Sequence, residues 1–440
     1  MSSNQRPLSV ISATTLVAAS MIGVGVYTTS GFTLAALGTP GRVIAAWVVG
    51  GLIAICGAIG YGALASRFTE SGGEYLFLSR TLHPVAGLMA GWVSLLAGFT
   101  GAIAIAAIAL QEYLSPMLFD SAQMLPGNTL AIAAVLVAAV IHTVGVQSAA
   151  RAQDVVVALK LLLIAAFIIF ALRTVDSWKG LTGGSFEAAE NAPLSLLVFA
   201  KQLVYISFSY AGFNAAVYVT SEVSGAERNV PRALIAGTVL VTVVYVILNA
   251  IFVLAPSAAV ITDGKNIQQV AATAAQAIGG DRFAMLVRGV IVISLFTSVS
   301  ALVMTGPRVY AKMADDGFFP KWFCFVDRPP VQAIWFQAIL AMIAISISTL
   351  KELLGYLGLT LSICSALAVS MLFVLRVGDR EMRLPWFGIP PAIYVVATVI
   401  LAVLYAKQEP VQTLAAGVTV AVGLVLYPWI TKRLPDPDPT

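Results

Sequence analysis

Apolar runs of about twenty residues recur from one end of this chain to the other, and few architectures accommodate that pattern. A run of this length crosses the hydrocarbon core of a bilayer as a helix, and in lipid only structures that satisfy every backbone polar group internally survive. Charged residues make up 10% of the sequence and hydrophobic ones 59%, against about 25% charged in an average soluble domain. The chain therefore reads as an all-α polytopic membrane protein with twelve transmembrane helices. The expected spans are 8–37, 43–67, 85–114, 130–146, 154–172, 194–222, 233–255, 283–305, 331–349, 353–377, 390–406 and 411–430. The first run is too long for a cleavable signal and lacks a small-residue cleavage pattern.

Placement of Lys and Arg sets the expected orientation. Fifteen fall in one set of loops, including Arg67, Arg80, Arg151, Arg228, Arg232 and Arg308, and eight in the opposite set. Both termini are thus expected in the cytoplasm, in a cell membrane. The formal charge of +4 is scattered between spans, so no nucleic-acid surface is indicated. Cys56, Cys324 and Cys364 form no metal-spaced set, and His83 and His142 are far apart. No metal and no cofactor is expected. An intramembrane enzyme would need paired aspartates, a histidine cluster or a serine dyad at membrane depth, and none appears.

Two spans are interrupted at mid-depth. The first carries Gly23-Val24-Gly25. Glycine in a helix interior costs about 1 kcal/mol relative to alanine, and the pair has two readings: close packing through small residues, or a broken helix whose freed amides bind a ligand. The sixth span carries Ser209-Tyr210-Ala211-Gly212-Phe213-Asn214. If spans one to five and six to ten form equal sets, spans one and six correspond, and an odd number of helices per set inverts the second. Matching interruptions in inverted repeats point to a transporter's binding site, which favours the broken-helix reading.

These residues resemble the amino acid–polyamine–organocation (APC) superfamily of permeases, which has the LeuT-type fold. The resemblance rests on Gly23–Tyr27, on Glu70-Ser71-Gly72-Gly73-Glu74-Tyr75, on Phe208–Phe213 followed by Glu222–Arg232, and on Arg308–Pro320. It implies a five-plus-five inverted repeat with two further C-terminal helices. The corresponding segments are a terminus at 1–7, a first repeat at 8–172, a second at 194–377, two helices at 390–430 and a disordered tail at 431–440. It also implies secondary amino acid transport. The amides of Gly23, Val24, Gly25 and Val26 would hold a substrate carboxylate at a helix N-terminus. The carbonyls of Met21, Phe208 and Ala211 would hold its ammonium, with Gly212 at the second break and Phe208 as an outer gate. Where the family often has serine, this chain has Val24, so carboxylate binding falls to the backbone.

Lys160 is an ionisable residue inside span five, and such residues are functional candidates. The resemblance places it where sodium-coupled relatives bind a cation, bridging span one to Ser298 or Ser300 on span eight. Sodium independence follows, with proton coupling and exchange both open. The pocket side chains Val24, Val26, Phe208, Ala211 and Gly212, with Ile103 and Ala104 assigned by depth, are apolar or small. No acid sits at the breaks, which favours neutral amino acids over cationic ones or polyamines; a channel is the competing class. Lys201 reads as an interfacial snorkeller, Tyr210 and Asn214 as pocket-lining polar groups, and Trp178, Trp322, Trp386 and Trp429 as interface anchors. The loop 115–127 has no cysteine, so no covalent heavy-chain partner is expected.

Overall fold

A computed structural model describes residues 8–119, 127–144, 149–174, 193–262, 266–315, 331–378 and 385–431. Trp178, Trp322, Cys324, both terminal segments, most of the loop 115–127 and the end of the 308–320 motif lie outside the described residues. The described residues are nearly all helical. In order they form α1 (Val10–Met21), α2 (Val24–Leu37), α3 (Pro40–Arg67), α4 (Gly73–Thr81) and α5 (Pro84–Val93). A π-helical segment (Ser94–Gly101) joins α5 to α6 (Ala102–Leu118), followed by α7 (Thr129–Val144), α8 (Ala149–Thr174) and α9 (Leu196–Tyr210). A 3₁₀ segment (Ala215–Glu222) then leads to α10 (Ala226–Leu254), α11 (Ala258–Thr262), α12 (Val270–Asp315), α13 (Val331–Ile347), α14 (Leu350–Gly378), α15 (Ile389–Ala406) and α16 (Pro410–Thr431).

Helix starts follow local chemistry. Ser9 accepts the Ser12 amide ahead of α1, Thr39 accepts the Arg42 amide with Pro40 in the first turn of α3, and Ser195 accepts the Val198 amide ahead of α9. These side chains satisfy amides that a helix leaves open at its N-terminus. Helix α12 begins earlier than the expected eighth span. Gly280, at φ +72°, divides it into a short leading helix and a long one.

Among the described residues, seven helical stretches are long and apolar enough to cross a membrane, and the bent pair α1–α2 taken as one span makes an eighth. Helices α7, α13 and residues 410–425 of α16 are shorter apolar helices. Leu52, Leu240, Val243, Leu414 and Val425 are exposed, as lipid-facing residues are. Inside, α3 packs along α10, α10 against α1, and α9 against α2, α3 and α14. The core between them holds the fully buried Trp47, Tyr61, Tyr205, Tyr210 and Tyr245. Their polar ends must find partners where no water reaches, and that requirement organises the centre of the molecule.

Candidate functional site

Span one breaks as the glycine pair suggests. Helix α1 closes with the Ile22 amide donating to the Ala18 carbonyl; Gly23 is extended (φ −140°, ψ −154°) and α2 starts at Val24, the axis turning by 44°. Gly23 occupies the capping position of α2 and has no side chain to cap with. The first-turn amides of Val24, Gly25 and Val26 therefore form an uncapped N-terminus, the positive end of the helix dipole. Span six breaks likewise. Helix α9 ends at Tyr210, the Ala211 amide donates to the Phe208 carbonyl at 3.0 Å, Gly212 takes φ +99°, and the chain resumes as a 3₁₀ helix.

The two breaks touch each other reciprocally. A Cβ on Gly25 would lie 2.3 Å from Ser209 Oγ and 2.7 Å from Ser209 Cα, and a Cβ on Gly212 would lie 2.8 Å from the Ser20 carbonyl oxygen. Thr29 and Ser209 hydroxyls add a hydrogen bond of 3.2 Å. Packing and breakage, two alternatives in the sequence, thus occur together. Gly25 is glycine because span six leaves no room for a side chain. Gly23 differs: a Cβ there would meet only the Met21 oxygen, at 3.9 Å.

The freed carbonyls are mostly engaged by the protein. Ile22 accepts from the Lys160 ammonium, Met21 accepts from the Tyr245 hydroxyl at 2.6 Å, and Phe208 accepts from Ala211. The Ala211 carbonyl accepts no hydrogen bond among the described residues. A carbonyl has two lone pairs, so Met21 and Phe208 keep acceptor capacity, but Ala211 alone of the three expected acceptors is open.

Lys160 is 6% exposed on α8, and its ammonium reaches the first break at the Ile22 carbonyl. Its bridge to span eight is absent among the described residues. The Ser298 hydroxyl instead turns back to the Ser294 carbonyl at 3.0 Å, and Ser300 pairs with His142 Nε2 at 2.9 Å. On a helix a serine hydroxyl readily finds the carbonyl one turn back. Val24 and Val26 are buried in the packing, as are Ile103 and Ala104, while Gly23, Ala211, Gly212 and Phe208 are half-buried and Ser20 is exposed. Tyr210 donates to the Trp47 carbonyl at 3.0 Å and Asn214 to Glu74 at 2.5 Å, so neither is a free lining group. Lys201 forms an ion pair with Glu409 rather than snorkelling, because the turn after α15 brings that carboxylate to it. Trp386 is exposed as an anchor would be, and the side chain of Trp429 lies outside the described set.

Tyr245 is the functional candidate that the sequence did not mark. It stacks edge-on to Trp47 with centroids 5.4 Å apart, and its hydroxyl supports the break from α10. Below it Trp47 Nε1 donates to Ser30 Oγ at 2.8 Å, and Ser30 donates to Asn249 at 2.6 Å. No spacing within α10 announces the contacts of the Tyr245 ring and hydroxyl, since Trp47 and Met21 lie on other spans. Tyr245→Phe keeps the ring packing and leaves the buried Met21 carbonyl short of a donor, which costs about 1–3 kcal/mol. A lowered thermal midpoint with reduced uptake is expected; an unchanged uptake rate would assign the hydroxyl to packing alone.

Among the described residues no three His, Cys, Asp or Glu come together as a metal site. Helices long and apolar enough to cross the membrane repeatedly, two of them broken against each other around open backbone dipoles, define a multi-pass membrane protein. The chain belongs to the amino acid permease family, which matches residues 8–427. It is 27% identical over 436 residues to the serine/threonine exchanger SteT of Bacillus subtilis, covering 96% of each chain. To the human b(0,+)-type amino acid transporter 1 it is 26% identical, over 90% of this chain and 81% of that one. To the human large neutral amino acids transporter small subunit 2 it is 26% identical, over 96% and 79%.

Proposed function

We propose that this permease carries neutral L-amino acids across the cell membrane by alternating access, independently of sodium, by proton symport or exchange. The observation that carries this reading is the uncapped start of α2, with open space at Gly23, on a break that packs against the second break, where the Ala211 carbonyl accepts no hydrogen bond among the described residues. The α-carboxylate then lies on the amides of Gly23, Val24, Gly25 and Val26, the ammonium on Ala211 with Met21 and Phe208 adjoining, and Phe208 closes over the bound substrate. Such a site recognises a zwitterion without a charged side chain, so no unpaired buried charge remains when it is empty. The Lys160 ammonium at the Ile22 carbonyl supports sodium independence by supplying a fixed cation.

A neutral preference is supported by break sequences that contain no acid, the nearby Glu74 being engaged by Tyr61, Asn214 and Tyr218, and by two relatives whose names specify serine/threonine and large neutral amino acids. The b(0,+)-type relative keeps cationic amino acids as the second reading. The architecture proposed is a five-plus-five inverted repeat with two C-terminal helices, twelve spans in all, supported by a helix at each expected segment. The fifteen-to-eight bias of basic residues supports cytoplasmic termini, and the cysteine-free 115–127 loop supports function without a disulfide-linked partner.

Purified protein in proteoliposomes is expected to take up labelled neutral amino acids saturably, without sodium, and faster when unlabelled substrate is inside. Arginine, lysine and putrescine are expected not to compete. Uptake driven by a pH gradient alone assigns symport; uptake that needs internal substrate assigns exchange. Non-saturable flux without trans-stimulation would make the protein a channel, and competition by arginine would move it to the cationic class.

A further inference from the structure

We propose that Glu74 is a positioning residue. It anchors a latch that fastens the second half of span six on the side of the membrane where Leu8 lies, and the latch must open in each transport cycle. Glu74 is 6% exposed, at the start of α4. Its carboxylate accepts three hydrogen bonds: from Tyr61 on α3 at 2.7 Å, from Asn214 at 2.5 Å, and from the Tyr218 hydroxyl. The preceding Gly73 has φ +57°, and a Cβ there would sit 2.4 Å from the Tyr218 ring. The Gly72-Gly73-Glu74 run of the sequence thus has a physical role. Its glycine seats the ring and its carboxylate takes the hydroxyl.

Two further fastenings flank this one. Ser71 and Ser221 hydroxyls are 2.7 Å apart, and the Ser221 amide donates to Ser71 Oγ at 3.1 Å. The Leu8 amide donates to the Glu222 carbonyl at 2.8 Å and the Ser224 amide to the Leu8 carbonyl at 3.0 Å. The held segment, 214–224, is itself weakly built. It is 3₁₀ rather than α, with Val219 kinked at φ −124°, and 3₁₀ hydrogen-bond geometry is poor. Side-chain bonds from Glu74 and Ser71 add to its own ladder in holding it in place. The Glu74 fastening ties it to the membrane-spanning helix α3 through Tyr61. It continues from Gly212, the second break, so releasing the latch frees the half-helix that adjoins the proposed site. The inference therefore rests on the reading that the two breaks hold the substrate.

Ser71→Cys with Ser221→Cys, in a background with Cys56, Cys324 and Cys364 replaced by alanine, places a cross-link across the latch. In the absence of amino acids, mild oxidation is expected to join the pair rapidly, stop transport, and be reversed by reductant. Adding Glu74→Gln removes the charge from an acceptor of three bonds. Because bonds to charged groups are the stronger ones, this is expected to slow cross-linking by about tenfold or more. Tyr218→Phe is expected to act in the same direction, and the two together no more than Glu74→Gln alone, as for partners in one contact. Glu74→Asp is expected to restore part of the rate. Monodispersity and thermal midpoint identify a variant that has misfolded, and Tyr218→Phe then carries the test. Unimpeded transport by the cross-linked protein would overturn the proposal, as would a cross-linking rate unmoved by both Glu74→Gln and Tyr218→Phe. If the rate responds to Glu74 but no amino acid is transported, the substrate assignment fails while the latch stands.

Discussion

Lys160→Ala is expected to abolish amino acid transport while leaving a folded protein in the membrane. The ammonium is buried on α8 and bonded to the carbonyl of Ile22, the residue at which α1 gives way to Gly23. A hydrogen bond from a charged group contributes about 1.5–3 kcal/mol, which corresponds to roughly 10- to 150-fold in rate or affinity if it acts only on the productive geometry. Stability should move the other way. An ion in the interior carries a desolvation penalty that an apolar side chain of similar volume avoids. Lys160→Met keeps the packing of the aliphatic stem and is therefore expected to hold or raise the thermal midpoint while transport falls to background. Lys160→Arg retains the charge but not its compact shape, so it is expected to rescue little. Uptake into proteoliposomes and thermal unfolding of the same preparations measure both quantities. An alanine variant that transports at the wild-type rate would remove Lys160 from the mechanism.

The three glycines at the breaks are expected to respond in opposite ways. Gly25→Ala drives a methyl to 2.7 Å from Ser209 Cα, where carbon atoms normally rest at about 3.5–4.0 Å. The two spans must separate, at a cost of about 1–3 kcal/mol. Gly212→Ala meets the Ser20 carbonyl at 2.8 Å and also keeps φ +99°, a conformation that adds about 1–3 kcal/mol of strain. Both variants are expected to lower the thermal midpoint and lose transport. Gly23→Ala changes little in the fold, since its backbone is extended and its nearest neighbour is 3.9 Å away. Its methyl projects instead into the space assigned to the carboxylate, so the expected result is normal stability with a raised KM. Normal KM in Gly23→Ala would move the carboxylate elsewhere.

The helices were legible because a bilayer imposes one length and one polarity on every span, and the breaks because glycine and hydroxyl residues at mid-depth contradict both. Lys160 stood out for the same reason, as a charge where charge is costly. What stayed hidden was partnership. That Gly25 faces Ser209 and Gly212 faces Ser20 depends on the approach of helices about 190 residues apart in sequence, which no local pattern encodes. Tyr245 looked like any tyrosine on an apolar helix. Ser298 and Ser300 lay on the expected span, yet their hydroxyls were claimed by Ser294 and His142, nearer partners that the sequence does not rank. Lys201 lacked an apparent partner because Glu409 lies more than two hundred residues away.

The π-helical segment at Ser94–Gly101 sets the rotational phase of everything that follows it in span three. A π-bulge is in effect one residue inserted into an α-helix, and one residue turns an α-helix by about 100°. Beyond it, Tyr113 donates to the Tyr27 carbonyl at 2.7 Å, and Gln111 accepts the amides of Leu130 and Ala131 at the start of α7. A single-codon deletion just past the π-helical segment, within residues 102–110, has no wide turn to absorb it and would swing both side chains roughly a quarter-turn away from these partners. Span three would still be apolar and long enough to insert, and hydropathy would register no change. In this stretch of the gene, residue number itself is the constrained quantity, and a deletion there is more disruptive than most substitutions.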